Sequence, residues 1–280
     1  MPARRSDGGS VTRIHLVARD SASASIIESS QRLVGDQTVP KYAFTMQRRT
    51  LLLAGGAIAI TASLPRGVMA QSKPKIGFIG AGRIGGTLAK LWTQAGYRVM
   101  LSARDLGPVR ELAAQLGPNA SVGTPAEAAA WGNVVVVSVP YAALPQIGRD
   151  YAVQLKGKVV LDTCNPYLER DGDMAKEALE GGTGVMDPLY LPGTRLVRAF
   201  NAINYQALAS EAHRAGEPIG IELAADDPQA LAIAKQLVTD AGFEPVVVGG
   251  LATAKRFDHG SAIYPKTLPA SEMRALLGLK

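Results

Sequence analysis

From residue 75 to the C-terminus, short unbroken apolar runs alternate with longer stretches in which apolar residues recur every three or four positions. The runs at Lys75–Ile79, Arg98–Ser102, Val134–Val139, Lys158–Asp162, Arg195–Phe200, Ile219–Ala224 and Glu244–Val248 read as strands buried on both faces. Helical spacing joins Ile84, Leu88, Leu91 and Trp92 until Gly96 stops it, and it recurs over Leu106 to Leu116. Thr124-Pro125-Ala126-Glu127 is a helix start, with Thr as cap and Pro at the first position. Asp227-Pro228 opens a further helix that runs to about Ala241, and Ser271 to Leu277 predicts a short terminal one. Strands alternating with helices predict an α/β protein built on a doubly wound parallel sheet.

The turn after the first run carries candidate chemistry. Lys75-Ile-Gly-Phe-Ile-Gly80-Ala-Gly82-Arg-Ile-Gly85-Gly86 joins a strand to a helix through the spacing G-x-G-x-x-G. Gly80 allows the tight turn, Gly82 lets backbone approach a pyrophosphate, and Gly85 lets the helix pack on the strand. The N–H groups and positive dipole end at Arg83, Ile84 and Gly85 then face the phosphates. This makes residues 71–200 a Rossmann-type dinucleotide-binding domain and 201–280 a small α/β extension. The second strand ends Leu101-Ser102-Ala103-Arg104-Asp105. The guanidinium of Arg104 and the hydroxyl of Ser102 suit the 2′-phosphate of NADP, whereas Asp105 on the ribose hydroxyls would suit NAD.

Upstream, Gln47-Arg48-Arg49-Thr50-Leu51-Leu52 precedes an apolar run to Leu64 and then Gly67-Val68-Met69-Ala70. This pattern looks like a twin-arginine export signal over residues 46–70, cleaved after Ala70. The apolar run is shorter than the ~20 residues a membrane span requires, so no stable anchor is expected. The location implied is periplasmic or otherwise exported, or cytoplasmic if the signal is not used. Residues 1–45 are Ser-rich and aperiodic. They read as a disordered extension, with translation expected to start at Met46.

The leader also explains the charge. Residues 1–70 hold nine of the 30 Lys and Arg and four of the 24 Asp and Glu, so the +6 of the whole chain falls to +1 beyond it. That argues against a nucleic-acid partner. The one cysteine, Cys164, excludes an internal disulfide, and the three histidines lack metal-ligand spacing, so no metal is expected.

Ligands of open α/β sheets lie outside the carboxyl ends of the strands. Those ends offer Ser138-Val139-Pro140-Tyr141, Asp162-Thr163-Cys164-Asn165-Pro166-Tyr167 and Ala199-Phe200-Asn201. Val139, Pro140 and Asn165 are candidate nicotinamide contacts, and Asn201 is a candidate amide partner. Asn204 is explained equally well as a helix cap. Asp258-His259-Gly260 and Tyr264-Pro265-Lys266 read as surface turns, with a cover over the site mouth as the other reading.

Gly80-Ala-Gly-Arg-Ile-Gly85, Ala103-Arg-Asp105, Val134-Val-Val-Val-Ser-Val-Pro140, Val159-Val-Leu-Asp-Thr-Cys-Asn-Pro166, Arg198-Ala-Phe-Asn201 and Asp226-Asp-Pro228 together resemble the deazaflavin-dependent NADP oxidoreductase family over residues 74 to about 258. The resemblance implies NADP(H) as cofactor and hydride passing between nicotinamide and a deazaflavin, coenzyme F-420, stacked beside it. The family often places Ser directly before its phosphate-binding Arg. Here Ala103 stands there and Ser102 one place earlier. Some members use other acceptors, so the resemblance fixes the donor better than the acceptor.

No Lys, His or Glu stands at the candidate nicotinamide contacts, and no catalytic residue is assigned. That absence favours hydride transfer to a deazaflavin or flavin-like ring, a small-molecule redox acceptor, over reduction of a carbonyl, which needs a proton donor. Two other readings stay open: a non-catalytic NADP-binding sensor or structural protein, and a reductase of a small carbonyl substrate with Tyr141 or Tyr167 as donor. A homodimer also stays open.

Overall fold

The computed structural model describes residues 73–280. The residues read as an export signal, 46–70, and as an N-terminal extension, 1–45, lie outside them.

The first half follows the expected alternation. β1 (Ile76–Ile79), α1 (Arg83–Gln94), β2 (Val99–Ser102), α2 (Gly107–Leu116), β3 (Ala120–Val122), α3 (Pro125–Trp131) and β4 (Val134–Val137) form a βαβαβαβ run. Thr124 caps α3 as its sequence predicts: its hydroxyl accepts from the Glu127 N–H, and the Glu127 carboxylate accepts from the Thr124 N–H. β3 has only three residues, none of them buried, too little apolar signal to stand out in the sequence.

Four helices follow that the hydrophobic pattern does not announce: α4 (Leu144–Asp150) and α5 (Ala152–Leu155) before β5 (Val159–Asp162), then α6 (Leu168–Gly181) and α7 (Thr183–Tyr190) before β6 (Arg195–Ala199). The chain closes with α8 (Tyr205–Ser210), β7 (Gly220–Ala225), α9 (Pro228–Asp240), β8 (Glu244–Gly249), a 3₁₀ turn at Leu251–Arg256 and α10 (Ala270–Leu276).

All eight strands make one sheet in the order β3-β2-β1-β4-β5-β6-β7-β8. The first six are parallel, and the strand order reverses between β1 and β4. One strand departs from the expected all-parallel sheet: β7 runs antiparallel to β6, pairing Ala199 with Leu223 and Val197 with Ala225. The β6–β7 connection stays at the C-terminal edge of β6. Its helix α8 has six residues and packs against α1, so the chain never crosses the sheet as a parallel connection demands. Asp226-Asp227-Pro228 therefore lies at the opposite edge from the strand ends that bind ligands. Asp227 caps α9 and pairs with Arg195 at 2.7 Å.

Each strand divides its side chains between two cores. Val134 and Val136 join Phe78, Leu88, Trp92 and Phe200 beneath α1 and α9, whereas Val135 and Val137 join Tyr141, Leu144 and Leu155 on the other face. Trp92 is fully buried, donates to the Leu237 carbonyl at 2.8 Å and meets the Phe200 ring edge-on. Among the described residues, no helix is long and apolar enough to cross a membrane.

Candidate dinucleotide and acceptor site

The reversal of strand order opens a cleft above β1 and β4, where the two crossovers leave to opposite faces. Gly80 makes the turn out of β1 with φ +97°; a Cβ there would stand 2.2 Å from the Ser138 carbonyl oxygen. A Cβ on Gly85 would stand 2.2 Å from the Gly80 carbonyl oxygen, so α1 seats on the turn only because Gly85 has none. A Cβ on Gly82 would meet nothing within 4 Å. The absence of a side chain at Gly82 therefore serves no internal contact and leaves room for a group from outside the chain. Among the described residues no side chain caps α1, and its first turn holds no acid, so its leading N–H groups suit an anion. Gly80, Gly82, Arg83, Ile84 and Gly85 thus fit a dinucleotide pyrophosphate.

Two cavities of about 550 and about 540 Å³ meet at Gly82 and Ser138–Pro140. The first is lined by Ala103 and Arg104 at the end of β2 and by Ile147 and Tyr151 on the α4 side. Arg104 is exposed and has no ion-pair partner among the described residues. Asp105 accepts from the Gly107 N–H at 3.0 Å and is not among the residues that line this cavity. Ser102 requires a correction: it is fully buried, and its hydroxyl donates to the Phe78 carbonyl at 2.5 Å, so it ties β2 to β1 rather than reaching a 2′-phosphate.

The second cavity gathers Val139, Pro140, Asn165 and Asn201 with Tyr167, Arg170, Tyr205 and Tyr264. Its floor is held by an amide chain: Asn165 Nδ2 donates to the Asn201 carbonyl at 2.8 Å, and Asn201 Nδ2 donates to the Cys164 carbonyl at 3.1 Å. The side-chain oxygens of both asparagines are buried without a donor. Two buried acceptors left open beside a cavity suit a ligand carrying N–H groups, such as a carboxamide.

Asn201 follows Phe200, whose φ of +60° is strained for an aromatic residue. Glu222, inside β7, holds the turn by accepting from the Asn201 N–H at 2.6 Å and the Ala202 N–H at 2.8 Å. Burial pushes the Glu222 carboxyl up to about 7 against the pull of these donors. Asn204 is the α8 cap, accepting from the Ala207 N–H at 2.9 Å.

Beneath the floor lies a buried ionic cluster. Arg198 Nη1 sits 3.0 Å from both Asp162 and Asp187 and donates to the Cys164 carbonyl at 2.8 Å, with Asp258 beyond at 3.6 Å. Burial drives the Asp187 carboxyl well above the usual range; Arg198 opposes this and the Asp162 charge adds to it. Tyr141 belongs to this cluster. It is fully buried and donates to Asp187 at 2.5 Å, so it is withdrawn as a proton donor to substrate. Burial first, then Asp162, also raises the Cys164 thiol, which keeps it from acting as a thiolate.

Tyr264 and Pro265 line the cavity, so this segment is part of the site wall and not the surface turn its Pro suggests. Arg198 and Glu222 were legible as charges inside apolar strands. The pairing of Tyr264 with Tyr167 had no local signal, because only folding joins residues 97 positions apart.

Residues 75–166 match the family model described as NADP oxidoreductase, coenzyme F420-dependent. The match ends at Pro166, so Arg198–Asn201 and Asp226–Pro228 lie beyond it. Comparison with curated proteins gives no match. Among solved structures, a hypothetical protein from Sinorhizobium meliloti is 23% identical with a TM-score of 0.62 over 71% of this chain and 97% of its own. A protein from Arthrobacter sp. FB24, provisionally assigned as an F420-dependent NADP reductase, is 20% identical with a TM-score of 0.53 over 65% of this chain and 87% of its own. At such identities these two likenesses show the fold. By fold and by the family match over residues 75–166, the chain is an NAD(P)-dependent oxidoreductase.

Proposed function

We propose that the protein is an NADP-dependent oxidoreductase that passes hydride between NADPH and a flavin-like ring, with deazaflavin the first acceptor to test. The observation that carries this reading is the pair of cavities joined at Gly82 and Ser138–Pro140: one ends at a free arginine, the other in an aromatic chamber.

In this reading the N–H groups opening α1 bind the pyrophosphate, and Arg104 offers its planar fork to a 2′-phosphate. Asn165 and Asn201 accept from the carboxamide, which fixes the nicotinamide face against Val139 and Pro140. The tyrosines around the second cavity exclude water and stack the acceptor ring. When bound, the cofactor supplies the hydride chemistry, and the protein supplies alignment.

Loss of NADPH absorbance with oxidised deazaflavin, free flavins and ferric chelates, each repeated with NADH, tests the proposal. Turnover that prefers NADPH with one ring acceptor supports it. Tight NADPH binding with no turnover would favour a sensor instead. The twin-arginine pattern makes the periplasm the proposed compartment, and an exported form whose intact mass begins at Gln71 is the expected observation.

A further inference from the structure

We propose that Tyr167 is the proton donor of the acceptor site and that Tyr264 positions its hydroxyl; this rests on the reading of the second cavity as the place where the acceptor binds. Both tyrosines line that cavity, and their hydroxyl oxygens lie 2.5 Å apart.

Tyr167 is held on every side. Its N–H donates to Asp171 at 3.0 Å, the Arg170 guanidinium lies 4.9 Å from its ring centre, and the His259 ring meets both tyrosine rings edge-on at 4.8 Å. Arg170 is itself fixed by its ion pair to Asp171 at 2.7 Å and by donation to the Asn165 carbonyl at 2.7 Å. Burial, reinforced by the hydrogen bond to Tyr167, raises the Tyr264 phenol. In the arrangement proposed here Tyr264 is the donor to the Tyr167 oxygen. The Tyr167 proton is then free for a ligand.

The other polar groups on the cavity wall are less suited. Thr163 spends its hydroxyl on the Val137 carbonyl, Cys164 is a buried thiol, and no Lys, His, Asp or Glu lines the cavity among the described residues. Tyr205 also lines it, beneath Arg83.

Reduction of a ring such as a deazaflavin adds two electrons and takes up one proton at a heteroatom. As hydride adds to the electrophilic carbon, the conjugated π pair moves to that heteroatom. The heteroatom takes the Tyr167 proton: the phenol O–H bond breaks and an N–H or O–H bond forms. The phenolate left behind is stabilised by the Tyr264 hydroxyl and the Arg170 charge, and water returns its proton. The acceptor class is thus one whose reduced form carries a new proton.

Tyr167→Phe and Tyr264→Phe in the full chain test this, since each keeps the ring and loses only the hydroxyl. Three quantities are read: NADPH affinity by fluorescence, the absorbance of oxidised deazaflavin bound without NADPH, and kcat and KM against pH. Tyr167→Phe should leave NADPH affinity within about twofold, abolish the spectral shift of bound deazaflavin and lower kcat on the order of a hundredfold or more at little change in KM. Tyr264→Phe should lower kcat about tenfold at little change in KM and alter the pH profile of kcat. A Tyr167→Phe protein that retains the wild-type rate and pH profile overturns this inference alone. A wild-type protein that binds NADPH and reduces no ring acceptor overturns the functional reading and takes this inference with it.

Discussion

Arg104 and Glu222 show how much one side chain's surroundings decide. Arg104 stands exposed at the cleft with no carboxylate partner among the described residues, and a guanidinium so placed suits a phosphate dianion. Arg104→Glu should lower kcat/KM for NADPH roughly ten- to a hundredfold and leave NADH nearly unaffected, as paired steady-state assays would show. Glu222 is fully buried with a carboxyl raised from 4.5 to about 7. The folded state then holds this proton more tightly than the unfolded chain. Its contribution to stability is intact below 4.5 and is lost as pH rises through about 7. Glu222→Gln keeps an acceptor for the Asn201 and Ala202 N–H groups without a titrating charge. Its melting temperature should gain on the wild type steadily from about pH 5 to about pH 8. A parallel pH dependence in the two proteins would contradict the raised value.

At the scale of elements, the strand–turn–helix unit β1–α1 separates folding from binding. A Cβ at Gly85 would press on the Gly80 carbonyl at 2.2 Å and lever α1 off β1. Gly85→Ala should cost about 1–3 kcal/mol in urea unfolding and weaken NADPH binding as well. A Cβ at Gly82 meets no protein atom within 4 Å. Gly82→Ala should therefore unfold like the wild type yet bind NADPH at least about tenfold less tightly, since the methyl group stands where the pyrophosphate approaches. Equal stability losses in the two variants would argue that Gly82 is only a turn residue. The pattern of residues made this unit readable because everything it needs is local: an apolar strand, the three motif glycines and a helical period all lie between Lys75 and Trp92. The Thr124–Glu127 cap was readable for the same reason.

Over the whole molecule, the buried charge cluster joins what the chain keeps far apart. Asp162 on β5, Asp187 on α7, Arg198 on β6 and Asp258 after the last 3₁₀ turn meet under the floor of the second cavity. Removing the one cation leaves buried carboxylates unbalanced. Arg198→Met should cost about 3–5 kcal/mol by chemical denaturation. Asp187→Asn, which replaces a carboxyl already held toward its neutral form, should cost much less. Comparable losses in the two would show that Asp187 is an anion in the folded protein. The sequence by itself determined the dinucleotide turn, the strand–helix alternation and the candidates Arg104, Asn165 and Asn201, because periodicity, glycine spacing and strand ends are properties of neighbouring residues. Only the tertiary structure decided the rest. It turned Ser102 inward to Phe78, committed Tyr141 to Asp187, reversed β7 and carried Tyr264 to within 2.5 Å of Tyr167. Each of these depends on which surfaces meet when the apolar faces are buried, and contacts across 97 residues leave no mark on local pattern.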